Sequence, residues 1–335
     1  MEGTGFCIRK YRDGDEGPVV DLLNRVFAKM DPAFVPRDVS WWRWKYADNP
    51  AGFHSLVAED PDGAIVAHYG GVPCRVNADG RRVQFGQNCD TFSDPAVRRG
   101  LRNPGLFVRL AQAYASTHGH PDDDAVMYGL PSRDAGRIGA RYLDYWPLRS
   151  QLLLAVRNDL AFPAADDSVR IEETGDVPDD VDELYHRASQ ELRCTTIRDA
   201  SFLRWRFTSH PEGVYRLFLA RNDADETLRG YAVYRPGRIV GRDGGLLVDW
   251  LADPGDGAAA GSLLRAVLRA AWADHFRELF FLLSTSSPWF IRFQDWGFRG
   301  EPTPYTMTAR PYDSKLEPDY LRDHWHYTLA DFDID

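Results

Sequence analysis

The residues best suited to chemistry form one short run, Arg98-Arg99-Gly100-Leu101-Arg102-Asn103-Pro104-Gly105, in a chain whose formal net charge is −10. Arg supplies always-charged, fork-shaped donors that suit phosphate oxygens, and Gly lets backbone approach a ligand closely. The run lies between a strand-like segment ending near Asp90 and an amphipathic helix opening at Gly105. Backbone N–H groups and the dipole at a helix start favour an anion. It therefore reads as an anion-binding loop, with Gly105, Leu106 and Phe107 as the entry to the helix. The other candidates are single residues: Asp90 at a strand end, His68 on a hairpin, Tyr128 at the end of a strand and Ser132 just after it. His118 and His120 beside Asp122, Asp123 and Asp124 look like metal ligands only superficially. Their setting reads as a surface loop, and no metal is expected. Cys7, Cys74, Cys89 and Cys194 have neither metal-type spacing nor the density of a disulfide scaffold, so they read as reduced thiols.

The elements that must position these residues come twice. W-W-R-W-K-Y-A-D-N-P-A-G at 41–52 returns as F-L-R-W-R-F-T-S-H-P-E-G at 202–213. The pairs Arg43/Arg204, Trp44/Trp205, Pro50/Pro211 and Gly52/Gly213 keep register. D-T-F-S-D-P at 90–95 returns as D-W-L-A-D-P at 249–254, each followed by a helix pattern. Leu106, Phe107, Leu110, Ala111 and Tyr114 share one face of the first, and Leu263, Leu264, Val267, Leu268, Ala271 and Trp272 one face of the second. Each copy also begins with a strand, an acidic turn and a helix. Mixed strand and helix order with hairpins predicts an α/β (α+β) fold: two tandem domains, each a mixed, mostly antiparallel sheet flanked by helices. The expected boundaries are 1–157, a linker at 158–168 rich in Ala, Pro and Asp, 169–310, and a packed C-terminal extension at 311–335. Trp325, Tyr327 and Phe332 in that extension would be costly to leave in water.

The element order, I-R-K-Y-R-D-G-D-E at 8–16 and D-P-A-V-R-R-G-L-R-N-P-G-L-F-V-R-L at 94–110 resemble the GNAT family of N-acetyltransferases, once per copy and in the tandem-domain manner. The resemblance implies that the first copy holds the pyrophosphate of acetyl-CoA or a related acyl-CoA. Pro95, Arg98, Gly100 and Gly105 fill the family's loop positions, in a loop about four residues longer than usual; Arg99, Leu101, Arg102 and Asn103 share it. The second copy reads D-P-G-D-G-A-A-A-G there, with no Arg and with Asp256 to repel a phosphate. Its cofactor loop reads as degenerate.

Acyl transfer to an amine needs a deprotonated amine, a donor for the carbonyl oxygen and a proton for the leaving thiolate. The resemblance places the oxygen donors at Phe92 and Ser93 and expects a Tyr acid four residues before a Gly-Phe pair. That pair is Gly297-Phe298 in the second copy, where the Tyr position holds Phe293. Gly139 is its expected counterpart in the first, without the Tyr. Tyr128, Ser132 and Asp90 are the remaining catalytic candidates, although Asp249 repeats Asp90 in the copy without the loop. The implied function is N-acyl transfer to an amine of a small molecule or peptide. The alternatives are a non-catalytic ligand sensor and an aminoacyl-tRNA-dependent transferase of the peptidoglycan-building type. The acidic balance argues against nucleic acid. With no apolar run of membrane length and no leader-like N-terminus, the expected location is cytoplasmic, away from membranes.

Overall fold

The computed structural model describes residues 5–32, 34–97, 105–157 and 166–333. The first half runs β1 (Cys7–Lys10), α1 (Glu16–Met30), α2 (Val39–Trp42), β2 (His54–Glu59), β3 (Ile65–Ala78), β4 (Arg81–Ser93), α3 (Leu106–His118), β5 (Asp124–Gly129), α4 (Arg133–Tyr142) and β6 (Trp146–Arg157). The second runs β7 (Val169–Thr174), α5 (Val181–Ala188), β8 (Cys194–Thr196), α6 (Ala200–Leu203), β9 (Arg216–Asn222), β10 (Leu228–Ile239), β11 (Arg242–Ala252), α7 (Gly257–Ala273), β12 (Glu278–Leu282), α8 (Trp289–Asp295) and β13 (Arg299–Pro311). α9 (Pro318–His324) and β14 (Trp325–His326) follow.

Two compact units emerge, and each repeats one pairing pattern. In the first, β1, β2 and β3 pair antiparallel in succession, β4 lies beside β3, and β4 pairs parallel with β5. In the second, β7, β9, β10 and β11 pair antiparallel in succession and β11 pairs parallel with β12. The last strand of each unit comes from the other half of the sequence. Thr308–Pro311 of β13 pair antiparallel with β5, whereas Leu153–Arg157 of β6 pair antiparallel with β12. The units accordingly comprise 1–75, 83–148 and 307–318 in one case, and 76–82, 149–306 and 319–335 in the other. The division expected at 157/158 and the extension expected at 311 differ from this partition. An apolar strand pattern reveals which face is buried but not which neighbour it pairs with.

The repeated aromatic segment has the same local structure in both units. Asp38 caps α2 by accepting from Trp41 N at 2.9 Å, and Asp199 caps α6 by accepting from Phe202 N at 2.9 Å. Each short helix then widens into one i→i+5 turn, closed by Asp48 N to Arg43 O at 2.9 Å and Ser209 N to Arg204 O at 2.8 Å. Gly52 and Gly213 end the segments at φ +85° and +59°, a region that favours Gly. Trp42, Tyr46 and Phe207 are almost wholly buried, so the stripe is core. In the first unit Leu106, Leu110 and Tyr114 of α3 pack with Leu56, Tyr69 and Met127 of the sheet. In the second Leu263, Leu264 and Val267 of α7 pack with Leu154, Phe218 and Phe281. Trp325, Tyr327 and Phe332 are buried within the second unit, as their size demands.

Two histidines are buried as well. Desolvation pushes His326 down from 6.5 to about 4, and also lowers His68. The unfolded chain takes up these protons near pH 6.5 and the folded chain resists. The stability from His326 is therefore complete above pH 6.5 and lost as pH falls to about 4, at about 3 kcal/mol in order of magnitude. Urea unfolding at successive pH values should show that loss, and His326→Asn should flatten the slope across the same window.

Candidate functional site

The site begins where two parallel strands part. β4 and β5 pair from Gln84↔Asp124 to Gln87↔Tyr128, after which β4 continues to Ser93 while β5 stops at Gly129. A cleft of about 370 Å³ lies beyond the end of that ladder. Thr91, Phe92 and Ser93 of β4 line it, with Gly105–Val108 at the start of α3, and Ser132, Asp134 and Ala135 at the start of α4. Val26, Phe27 and Met30 of α1 and Ile138 and Tyr142 of α4 also line it.

Two helix N-termini thus face one cleft. Gly105, the residue before α3, has no side chain to cap the helix, so the first-turn N–H groups of α3 have no side-chain acceptor at that position. Ser132 caps α4, its Oγ accepting from Ala135 N at 3.4 Å. An uncapped N-terminus reached through an Arg- and Gly-rich segment can hold a phosphate with backbone N–H groups and the helix dipole. The second unit treats the equivalent helix differently. Asp256 caps α7, accepting from Ala259 N at 3.0 Å. Arg229 grips the same carboxylate, Nε to Oδ2 at 2.7 Å and Nη2 to Oδ1 at 2.6 Å. An internal carboxylate, already paired, occupies the place where an anion would sit.

Of the residues expected from sequence, Phe92, Ser93, Gly105, Leu106, Phe107 and Ser132 meet around this cleft. Arg98, Arg99, Gly100, Leu101, Arg102 and Asn103 lie outside the described residues. Tyr128 is 2 % exposed and does not line the cleft; its hydroxyl lies 3.8 Å from Cys74 Sγ. Asp90 does not line it either. Its Oδ2 accepts from Lys45 Nζ at 2.9 Å and Tyr46 OH at 2.7 Å, and its carbonyl faces His68 Nδ1 at 2.8 Å. Asp90 also takes φ +46°, a kink in β4 just before Phe92. Asp249 has the same kind of setting in the second unit, with Arg198 Nε at 3.0 Å, Tyr231 OH at 2.8 Å and Thr328 Oγ1 at 2.7 Å.

Two sequence expectations are corrected. The counterpart of Gly297-Phe298 is Asp144-Tyr145, not Gly139. α8 ends before Gly297 at φ +92°, and α4 ends before Asp144 at φ +52°, each followed by an aromatic and a strand. Asp tolerates this left-handed region better than most residues, which hid the match from a search for Gly. Burial pushes the Tyr145 hydroxyl far above its ordinary range; Asn88, the first β4 residue past the ladder, donates to it through Nδ2. The second correction concerns the presumed surface loop near Asp122. Asp124 is wholly buried and accepts from or faces His54 Nδ1 at 2.9 Å. His118 stacks on His54 with ring centroids 3.7 Å apart and 14° between planes. His54, His118 and Asp123 lie close enough to share an ion, but rings lying face to face do not aim their in-plane lone pairs at one point. The residue that sequence reading missed at the cleft is Tyr142, a tyrosine on the last turn of α4.

Residues 7–121 match the model of the family described as "Acetyltransferase (GNAT) domain". The chain is similar to the structure of a probable N-acyltransferase from Enterococcus faecalis, at 14% identity and TM-score 0.67, covering 94% of this chain and 74% of that one. It is similar to a tandem GNAT protein from the clavulanic acid biosynthesis pathway, at 17% identity and TM-score 0.56, covering 92% and 99%. It is also similar to Saccharomyces cerevisiae N-myristoyltransferase with bound myristoyl-CoA, at 13% identity and TM-score 0.60, covering 95% and 83%. No curated protein matches it in sequence.

The Asp256 cap is testable as a stability element. Asp256→Ala removes both the cap and the Arg229 pair and should cost about 1 kcal/mol, lowering the melting temperature by a few degrees. Arg229→Ala keeps the cap and should cost less in the same thermal scan.

Proposed function

We propose that this chain, which has the GNAT fold and whose residues 7–121 match the GNAT acetyltransferase domain model, is an acyl-CoA-dependent N-acyltransferase. The donor is acetyl-CoA or a related acyl-CoA, and the acceptor is an amine of a small molecule or peptide. One observation carries this reading: the first unit's cleft has the end of β4 on one side and the uncapped start of α3 on another.

The pyrophosphate is assigned to the α3 N-terminus, with Arg98 and Arg102 as its charged partners and Gly100 and Gly105 allowing close approach. The pantetheine arm lies along Phe92 and Ser93, whose backbone N–H groups are assigned to the thioester oxygen as charge builds on it. The neutral amine attacks the thioester carbon. A C–N bond forms, the C–S bond breaks, the nitrogen loses a proton and the thiolate gains one. Among the hydroxyl-bearing residues that line the cleft, Tyr142 and Ser132 of the α4 side are assigned to that proton delivery, Tyr142 first. Asp90 is assigned a positioning role: its carboxylate, tied to Lys45 and Tyr46, fixes the kink that presents Phe92 and Ser93. Tyr128 has no role in this account. The second unit, whose α7 start is occupied by Asp256, is assigned no CoA site.

Calorimetric titration with acetyl-CoA should show one site per chain. Arg98→Ala with Arg102→Ala should weaken binding at least tenfold, while Asp256→Ala should leave it unchanged. No binding, or two equal sites, would contradict the assignment. In a thiol-release assay over an amine panel, Tyr142→Phe should lower kcat about 10- to 100-fold with little change in KM.

A further inference from the structure

The cleft of the first unit has two kinds of wall. Thr91 and Ser93 of β4, with Ser132, Asp134 and Tyr142 of the α4 side, bring polar side chains to it. The wall from α1 brings none: Val26, Phe27 and Met30 are all apolar. Among the described residues that line the cleft, Asp134 is the single charged side chain, and it stands at the start of α4. The α1 wall is an overrun of that helix's core stripe. Val19, Val20, Leu22, Leu23 and Val26 are buried, as an amphipathic helix requires. Phe27 and Met30 carry the apolar character one turn further, past the point where burial stops. Phe27 is half-buried and Met30 is 65 % exposed. Val35, just beyond the helix, is 63 % exposed.

The last turns of α1 are tied to the end of β4. The rings of Phe27 and Phe92 meet edge to face with centroids 5.9 Å apart, and Arg25 Nη2 lies 3.9 Å from Asp94 Oδ2. The segment after α1 is tied back as well: the rings of Phe27 and Phe34 lie 5.7 Å apart, and Asn24 Oδ1 accepts from Arg37 N at 2.9 Å. The apolar wall thus stands beside Phe92 and Ser93, the residues assigned to the thioester oxygen. We propose that this wall receives the acyl chain of the donor, which is an acyl-CoA with an apolar chain several carbons long rather than acetyl-CoA. The inference rests on the acyl-CoA reading above and narrows its donor. The chain is bonded to the thioester carbon, so it leaves that carbon beside Phe92, where Phe27 stands. Phe27 and Met30 are about 4.5 Å apart along the helix axis at the usual rise, so a chain must run past Phe27 to cover Met30. The polar nitrogen of an amine acceptor would lose its hydrogen bonds against such a wall. The transfer step is the same for any chain length: the C–S bond breaks, the C–N bond forms, and a proton leaves the nitrogen as the thiolate gains one.

Calorimetric titration of the full chain with CoA, acetyl-CoA, butyryl-CoA and hexanoyl-CoA tests this. Each methylene buried on the wall should tighten binding roughly fourfold, the equivalent of about 0.8 kcal/mol. Butyryl-CoA should therefore bind roughly tenfold more tightly than acetyl-CoA, and hexanoyl-CoA more tightly again. Met30→Asp changes an exposed position and leaves the core intact. It should cut the hexanoyl-to-acetyl affinity ratio roughly fivefold or more, and Phe27→Ala should cut it too. If CoA binds but the longer thioesters bind no more tightly than acetyl-CoA, the proposal is overturned and the acyl-CoA reading stands. The same holds if neither substitution moves the ratio, or if an apolar amine binds the CoA complex while the thioester series stays flat. If neither CoA nor any thioester binds, both fail.

Discussion

The parting of β4 from β5 is the constraint on which the first unit depends. A parallel pair held from Gln84↔Asp124 to Gln87↔Tyr128 and then released opens a space that the sheet alone would close. Beyond the release, β4 is held by local polar contacts. Asp90 sits in a left-handed conformation, and Lys45, Tyr46 and His68 hold it there. The aromatic segment that delivers Lys45 and Tyr46 is the same segment that recurs in the second half. In the first copy that segment holds the kink that precedes Phe92 and Ser93.

The two copies show how one scaffold can carry two different helix starts. Both spend the strand-end carboxylate on a buried cation and a neighbouring ring residue, and both send a helix out of the loop after it. At the helix start they diverge. Gly105 brings no side chain to the N–H groups of α3, whereas Asp256 caps α7 from within the chain. Helix capping and anion binding draw on the same donors, so a helix that caps itself with a carboxylate has already satisfied part of what a phosphate would satisfy. Arg265 and Arg269 of the second copy lie on α7, beside a groove with an apolar floor.

Much of the fold was legible in the sequence because the repeat is carried by large aromatics, whose burial leaves little freedom. Trp42, Tyr46 and Phe207 are core for the reason their size implies. The exchange of β6 and β13 was not legible, since alternation of apolar residues specifies a face and not a partner. Asp144 concealed the helix end because the expected residue there was Gly, and it is the φ value rather than the residue type that identifies the position. Asp124 was misread because a run of three acids suggests solvent, while one of them is buried against His54. At the cleft, Phe92 and Ser93 were legible through the family resemblance, and Gly105, Leu106, Phe107 and Ser132 through strand and helix ends. Tyr142 was missed because nothing in the spacing set its helix face toward β4.

The central claim is that the start of α3 is an open anion seat and the start of α7 is a closed one. Amide hydrogen exchange of the full chain with and without CoA tests it most directly. The account predicts slowed exchange at Phe92, Ser93 and the amides of Gly105–Val108, and unchanged exchange at Gly257–Ala260. Protection at the start of α7, or none at the start of α3 under saturating CoA, would contradict it.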